Sequence, residues 1–435
     1  MSGLPQGWVE AALTDVAEVR LGRQRSPKTH TGTNMRPYLR AANVTWQGLA
    51  LGDVKEMHFD PAEVETYRLK AGDVLVAEAS GSRSEVGKPA IWRAELHDCC
   101  FQNTLLRVRS RGPLPEYLLY FLKSEALEGR LGDVARGVGI YHIGAAGLST
   151  YRLPVPPLDE QRRIVNVIEE HFSRLDAGWR LLVSLMNRIE RLRGAVLDRM
   201  HQIDSREIPL DAVASMITDG DHRPPPRVAS GVPHLTAKHV RKGRLMFDGC
   251  TFVSEEGYAQ TSRRYAPQAG DVVITCVGTI GETAVVPEGV RFSADRNLAA
   301  VRLQDDQNHM TPQYLQMVLS SPSYRQLLAA ASGSTAQPHL YLRDLRALKV
   351  PVPALYDQQE MVREAELALS LADALGTTVE RSLHRSAQLR RSVLQRAFSG
   401  RLTGQDPTDE TGTELLARGT TRRAVTAKPG RRNDD

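Results

Sequence analysis

The sequence predicts an α+β protein built twice over, with two globular regions in tandem and one long helix after each. Three observations carry this reading. The stretch from Leu153 to Met200, which opens LPVPPLDEQRRIV and closes LRGAVLDRM, recurs as VPVPALYDQQEMV from Val350 and LRRSVLQRAF ending at Phe398. The repeat extends beyond the helices at one spacing, because Pro154 and Pro351, Leu13 and Leu210, Leu197 and Leu394, and His142 and His339 all stand 197 residues apart. Finally, Ile168, Phe172, Leu175, Trp179, Leu182, Met186 and Ile189 are spaced 4, 3, 4, 3, 4 and 3, the alternation of a coiled-coil seam.

Taken in order, GWVEAALTDVAEVRL is an alternating apolar segment that runs into a polar loop rich in Arg, Ser, Thr and Gly. PYLRAANV at Pro37 and AGDVLV at Ala71 read as strands, the second buried and followed by a Gly/Ser loop from Ser80 to Lys88. FQNTLLRVR supplies another strand, and PEYLLYFLKS from Pro115 starts a helix at its proline. The second region repeats these as PHLTAKHV at Pro233, AGDVVI at Ala269 and PQYLQMVLSS from Pro312, with slips of single residues. Its polar loops differ: TDGDHRPPPRVASG at Thr218, TAKHVRKGRL at Thr236 and CVGTIGET at Cys276. Alike frameworks with unlike loops suit a binding scaffold with two specificities.

The expected boundaries are a first region over 1–157, a central helix over 158–203, a second region over 204–355, a C-terminal helix over 356–402 and a disordered basic tail over 403–435. The partner seam for the first helix is Val362, Ala365, Leu369, Ala372, Val379, Leu383 and Val393, a weaker stripe that Gly376 interrupts.

At roughly 100 to 200 residues per domain, 435 residues make two or three domains. The opening MSGLPQGWVEAALTD has no basic segment before an apolar run, and no window nears the ~18 apolar residues of a membrane span. Cys99, Cys100, Cys250 and Cys276 form no C-x-x-C pair, so reduced thiols and a cytoplasmic location are expected. Most of the net charge of +5 belongs to the tail, where Arg418, Arg422, Arg423, Lys428, Arg431 and Arg432 face only Asp434 and Asp435. A solvated tail is the favoured reading, with auxiliary phosphate contact as the other.

Catalytic signatures are missing. GSRSEVGKP at Gly81 has five residues between its glycines and Pro89 where a phosphate-binding loop needs Ser or Thr, so a flexible surface loop is the better reading. His234 and His239 fall on opposite sides of a predicted strand, which disfavours a shared metal and favours ordinary surface histidines. Neither a G-x-S-x-G nor an H-E-x-x-H motif occurs, nor an N/D-P-P-Y/F methylation motif. No catalytic residue and no metal ligand is nominated.

Leu4 to Trp8 near the start, AGDV at Ala71 to Val74 and at Ala269 to Val272, and the helix entries Pro154 to Gln161 and Pro351 to Gln359 together resemble the specificity subunits of type I restriction-modification systems. The resemblance covers Leu4 to about Gly404 and implies two pseudo-symmetric target-recognition domains joined by two long antiparallel coiled-coil helices. It implies a non-catalytic subunit that reads an asymmetric bipartite site in double-stranded DNA. Two methylation subunits would bring S-adenosylmethionine for adenine methylation, and restriction subunits, where a system has them, ATP and Mg for cleavage of foreign DNA. No cofactor is expected on this chain. Helices of about forty residues make rods of ~60 Å, longer than a ~34 Å turn of DNA, and could fix half-site spacing. The competing readings are a duplicated protein-binding adaptor and a degenerate methyltransferase or nuclease.

Base readout needs bidentate or amide-bearing side chains on exposed loops. In the first region these are Arg23, Gln24, Arg25, Lys28, Arg40, Asn43, Ser82, Arg83 and His142. In the second they are Asp221, His222, Arg223, Arg227, Lys238, His239, Arg241, Lys242, Thr279 and His339. The recurrence of His142 and His339 at equivalent positions suits a shared structural or phosphate role better than base reading.

Overall fold

The computed structural model describes residues 3–418 apart from 138, 224, 305–309 and 333–337. The chain forms two compact units: Met1–Leu181 with Ser382–Asp435, and Leu182–Arg381.

In the first unit, β1 (Ala17–Leu21), β2 (Val74–Ala77), β3 (Pro89–Ile91) and β4 (Leu105–Ser110) form an antiparallel sheet in the order β1-β4-β2-β3. Every residue of β2 is buried because the sheet is covered on both faces. Val74 and Val76 point into one core with Leu118, Phe121 and Leu122 of helix α1 (Pro115–Leu127), while Leu75 joins Leu39, Trp92 and Phe101 on the other side. Cys99 and Cys100 are among the residues buried here, and burial pushes both thiols up to about 12.

The AGD motif before β2 is structural. Gly72 sits at φ +89°, where a side chain is strained, and turns the chain so that Asp73 is buried. Its carboxylate accepts the Lys70 amide at 2.7 Å and Nε and Nη2 of Arg109, each at 2.7 Å.

The second unit repeats this construction with β5 (Ala214–Asp219), β6 (Val272–Thr275), β7 (Thr283–Val285) and β8 (Leu298–Leu303), in the order β5-β8-β6-β7. Gly270 lies at φ +88°. Asp271 accepts the Gln268 amide at 2.9 Å, the Tyr265 hydroxyl at 3.0 Å and Arg302 at 2.7 and 2.8 Å.

The two long helices are α2 (Leu158–Asp198) and, following helix α3 (Pro312–Ser320), α4 (Leu355–Phe398). Each is clamped at its start by one buried glutamine. Gln161 donates to the Pro156 carbonyl at 2.9 Å and accepts the Leu114 amide at 2.8 Å; Gln358 donates to Pro353 at 3.0 Å and accepts the Thr311 amide at 2.9 Å. The counterpart of Gln161 is therefore Gln358 and not Gln359.

Both helices end a few residues before the predicted limits. A 3₁₀ turn, Arg199–His201, follows α2, and Gly400 at φ +68° stops α4, with the Arg401 amide donating back to the Arg396 carbonyl at 2.8 Å. The expected interruption at Gly376 is absent, since α4 runs through it unbroken. A penalty of ~1 kcal/mol is too small to break so long a helix.

Within each unit the helical stretches pair antiparallel. In the first, Ile164, Val165, Ile168 and Phe172 pack with Leu394, Ala397 and Trp8, Leu175 and Val393 lie partly buried beside them, and Asp176 pairs with Arg390. Leu383 is also partly buried. In the second, Ile189, Ala365, Ala372 and Val379 are buried, Leu182, Met186, Val362 and Leu369 are partly buried, and Arg193 pairs with Asp373. Trp179 departs from the predicted seam, being 40% exposed.

The tail also differs from expectation, because residues 405–418 pack on the first unit. Asp409 pairs with Arg163, the Gly412 amide donates to the Gly7 carbonyl at 2.8 Å, and Leu415 is buried in the core. Residues 412–418 are helical, entered through a capping box in which the Thr411 amide donates to Glu414 at 2.7 Å. Of the basic tail residues, Arg418 pairs with Glu410, whereas Arg422, Arg423, Lys428, Arg431 and Arg432 lie outside the described residues. No helix among the described residues is long and apolar enough to cross a membrane.

Candidate nucleic-acid interface

The registers bring the nominated loops to one end of each sheet. In the first unit Leu21 pairs with Leu106, and Ala77 with Leu105, so the loops after β1 and β2 leave beside the turn that enters β4. Leu39 runs parallel to Phe101, which delivers Arg40 to the same place. In the second unit Asp219 pairs with Ala299, Thr275 with Leu298 and Leu235 with Ala294, which repeats the convergence. The histidine positions join it as well, since His142 pairs with Ala79 and His339 bridges Val277.

Gln24, Arg25, Lys28 and Ser82 are exposed at this end of the first unit. Arg83 is also exposed, but its guanidinium donates to the Gly132 carbonyl at 3.2 Å and to Asp133 at 3.3 Å and lies over the Tyr141 ring. His142 meets Glu78 at 3.0 Å and Arg40 pairs with Asp53 at 2.5 Å. Arg23 is a buttress: its side chain is only 14% exposed, donates to Glu63 at 2.7 Å and lies over Phe59.

In the second unit Arg223, Arg227, Lys238 and Thr279 are exposed. His222 meets Asp219 at 2.9 Å, and the Asp221 carboxylate accepts the Arg223 amide at 2.8 Å. Arg241 donates to the Ala237 and Val240 carbonyls, while the Lys242 amide donates to Glu282 at 3.0 Å. The His339 ring packs edge-on to Tyr341 with centroids 4.8 Å apart.

Two nominations are corrected. Asn43 and His239 are both 2% exposed, and each closes the 3₁₀ turn it belongs to, with the Arg40 amide donating to Asn43 Oδ1 at 3.1 Å and the Thr236 amide to His239 Nδ1 at 2.9 Å. They shape the loops and are not presented to a ligand. The expectation of surface histidines fails for His234 too, which is buried with Nδ1 3.0 Å from the Ser293 hydroxyl. Burial, reinforced by Arg227 and His239, pushes its pKa down to about 4, so the ring is neutral at pH 7.

A position outside the nominations stands at the centre of each cluster. The turn entering β4 carries Gln102 and Asn103, and the turn entering β8 carries Asp295, Arg296 and Asn297. Gly22 and Gly220 let another loop cross these turns, since an added Cβ would fall 2.2 Å from the Gln102 carbonyl oxygen and 2.3 Å from those of Ala294 and Asp295. The polar run before a buried strand (FQNT, SADRN) was the available signal.

Comparison with known proteins agrees with this architecture. The family model described as the type I restriction modification DNA specificity domain matches residues 5–179 and 230–364. The chain is 24% identical over 431 residues to the type I restriction enzyme EcoKI specificity subunit of Escherichia coli strain K12, covering 92% of this chain and 90% of that relative. It is 26% identical over 311 residues to the EcoBI specificity subunit of Escherichia coli, covering 64% of this chain and 65% of that one. Among solved structures, a chain from work on complex assembly and conformational transition of the type I R-M system superposes with a TM-score of 0.70, at 21% identity, over 92% of this chain and 100% of that chain.

Proposed function

The chain belongs to the type I restriction-modification DNA specificity family, and from that premise we propose that each unit reads one half of an asymmetric bipartite site in double-stranded DNA. The observation that carries this is the pairing of a repeated backbone with unlike polar side chains at the same sheet end. Exposed cations such as Arg25, Lys28, Arg223, Arg227 and Lys238 supply phosphate contacts, which fix position without reading sequence. Amide and guanidinium groups on the turns and loops read base edges.

The long helices set the distance between half-sites, being rods of about 60 Å at a 1.5 Å rise per residue. They also dock two methylation subunits, which carry S-adenosylmethionine and transfer its methyl group to adenine. This chain contributes recognition and makes no bonds itself. It works in the cytoplasm, and in a system with restriction subunits those bring the ATP and Mg chemistry.

The test is genome-wide methylation mapping in cells with and without this chain, co-expressed with its methylation subunits. Loss of one bipartite motif on deletion is the expected result. An unchanged methylome with every subunit expressed would favour a protein-binding adaptor.

A further inference from the structure

The turns entering β4 and β8 have the same backbone bonding and different side chains, Asn103 half-buried in one and Arg296 exposed in the other. In the first unit the Leu105 amide donates to the Gln102 carbonyl at 2.9 Å and closes the turn. The Gln102 amide donates to Leu39 at 2.9 Å, the Asn103 amide to Arg23 at 3.0 Å, the Arg23 amide to Phe101 at 3.1 Å and the Glu78 amide to the Thr104 carbonyl at 3.0 Å. Each bond recurs in the second unit. Leu298 donates to Asp295 at 3.1 Å, Asp295 to Leu235 at 3.3 Å, Arg296 to Asp221 at 3.2 Å, Asp221 to Ala294 at 3.0 Å and Cys276 to Asn297 at 2.8 Å.

Three separate loops are thus tied to each turn, and the turn becomes a rigid pedestal. Its second residue is Asn103 in one unit and Arg296 in the other. Among the described residues neither side chain has a hydrogen-bond partner, whereas Arg23, Arg40, Asn43 and Arg264 nearby are engaged, and unlike the free cations of the rim loops these two stand on a backbone tied at several points. In the second unit the pedestal is stiffened further, because Asp295 accepts the Asn297 amide at 3.0 Å and its side-chain nitrogen at 2.8 Å. A fixed backbone carrying an unsatisfied bidentate group is what direct base readout requires, and the two groups differ in the base they fit. The guanidinium matches guanine O6 and N7, and the amide matches adenine N6 and N7.

Resting on the DNA-reading function above, we propose that Asn103 and Arg296 are equivalent specificity-determining residues, Asn103 pairing with an adenine in one half-site and Arg296 with a guanine in the other. The rim residues around them contribute position, and these two contribute identity.

The experiment uses the full chain assembled with its methylation subunits, and reads methylation rates on duplexes in which each base pair of the recognised site is varied singly. Arg296→Gln and Arg296→Lys should each relax preference at one guanine of one half-site by roughly ten- to a hundredfold, leaving the other half-site intact. Asn103→Ala should do the same at one adenine of the opposite half. Uniform weakening across all duplexes would make the residue a phosphate contact and overturn the proposal, as would unchanged specificity. Arg296→Lys keeps the charge and Arg296 has no partner to lose, so matching thermal unfolding curves separate a specificity change from misfolding. A wild-type complex with no sequence preference would instead overturn the DNA-reading function itself.

Discussion

The helical seams of the two units differ in how they distribute side-chain volume: the first is larger at three positions, while Ala397 in the first has Met200 as its larger counterpart in the second. Ile168 has Ala365 as its counterpart, Phe172 has Leu369, and Trp8, whose indole donates to Glu160 at 2.8 Å, has Ser205. Beside Met200, Met361 and Ala365 the second unit has a half-open pocket of about 320 Å³. The motifs that hold sheet and helix together are nonetheless the same in both, down to the Asp73/Arg109 and Asp271/Arg302 pairs and the Gln161 and Gln358 clamps. Duplication has kept the bonds that define the backbone, while core volume and rim chemistry have diverged.

If that division is right, the shared bonds should be equally costly to break in either unit. Asp73→Ala and Asp271→Ala each leave a buried pair with one member, and each should lose about 3 to 5 kcal/mol in denaturant unfolding. A large loss from one and almost none from the other would mean that the two motifs are alike in sequence but not in role. The diverged seam should respond unequally. Ile168→Ala gives the first unit the residue of the second and should lose about 2 to 4 kcal/mol. The reverse change, Ala365→Ile, extends toward the half-open pocket that Ala365 lines and should alter stability by no more than about 1 kcal/mol. Equal penalties in the two directions would show that the pocket does not accept the added carbons.

The duplication was legible because framework residues recur at nearly constant spacing, and β2 and β6 because a run buried on both faces has a plain apolar signature. Other features were harder to read. Asn43 and His239 look like loop residues, since polar side chains that close a 3₁₀ turn have the same composition as side chains offered to a ligand. Asn103 and Arg296 escaped because their spacing is 193 residues, not 197, and because a turn preserved through its backbone bonds leaves no mark on the side chains. The strap ending near Leu415 was read as part of a disordered tail, although Thr411 and Glu414 already stood at capping-box spacing.

The central claim, that each unit reads its own half-site through its own loop crossing, is tested most directly by mapping methylation in cells carrying Gly22→Ala or Gly220→Ala. Either methyl group would collide with a turn carbonyl, at 2.2 Å or 2.3 Å respectively, and displace one pedestal. The account predicts that each variant blurs a different half of the bipartite motif and leaves the other half sharp. Both variants blurring the same half, or neither changing the motif while the complex stays active, would contradict it.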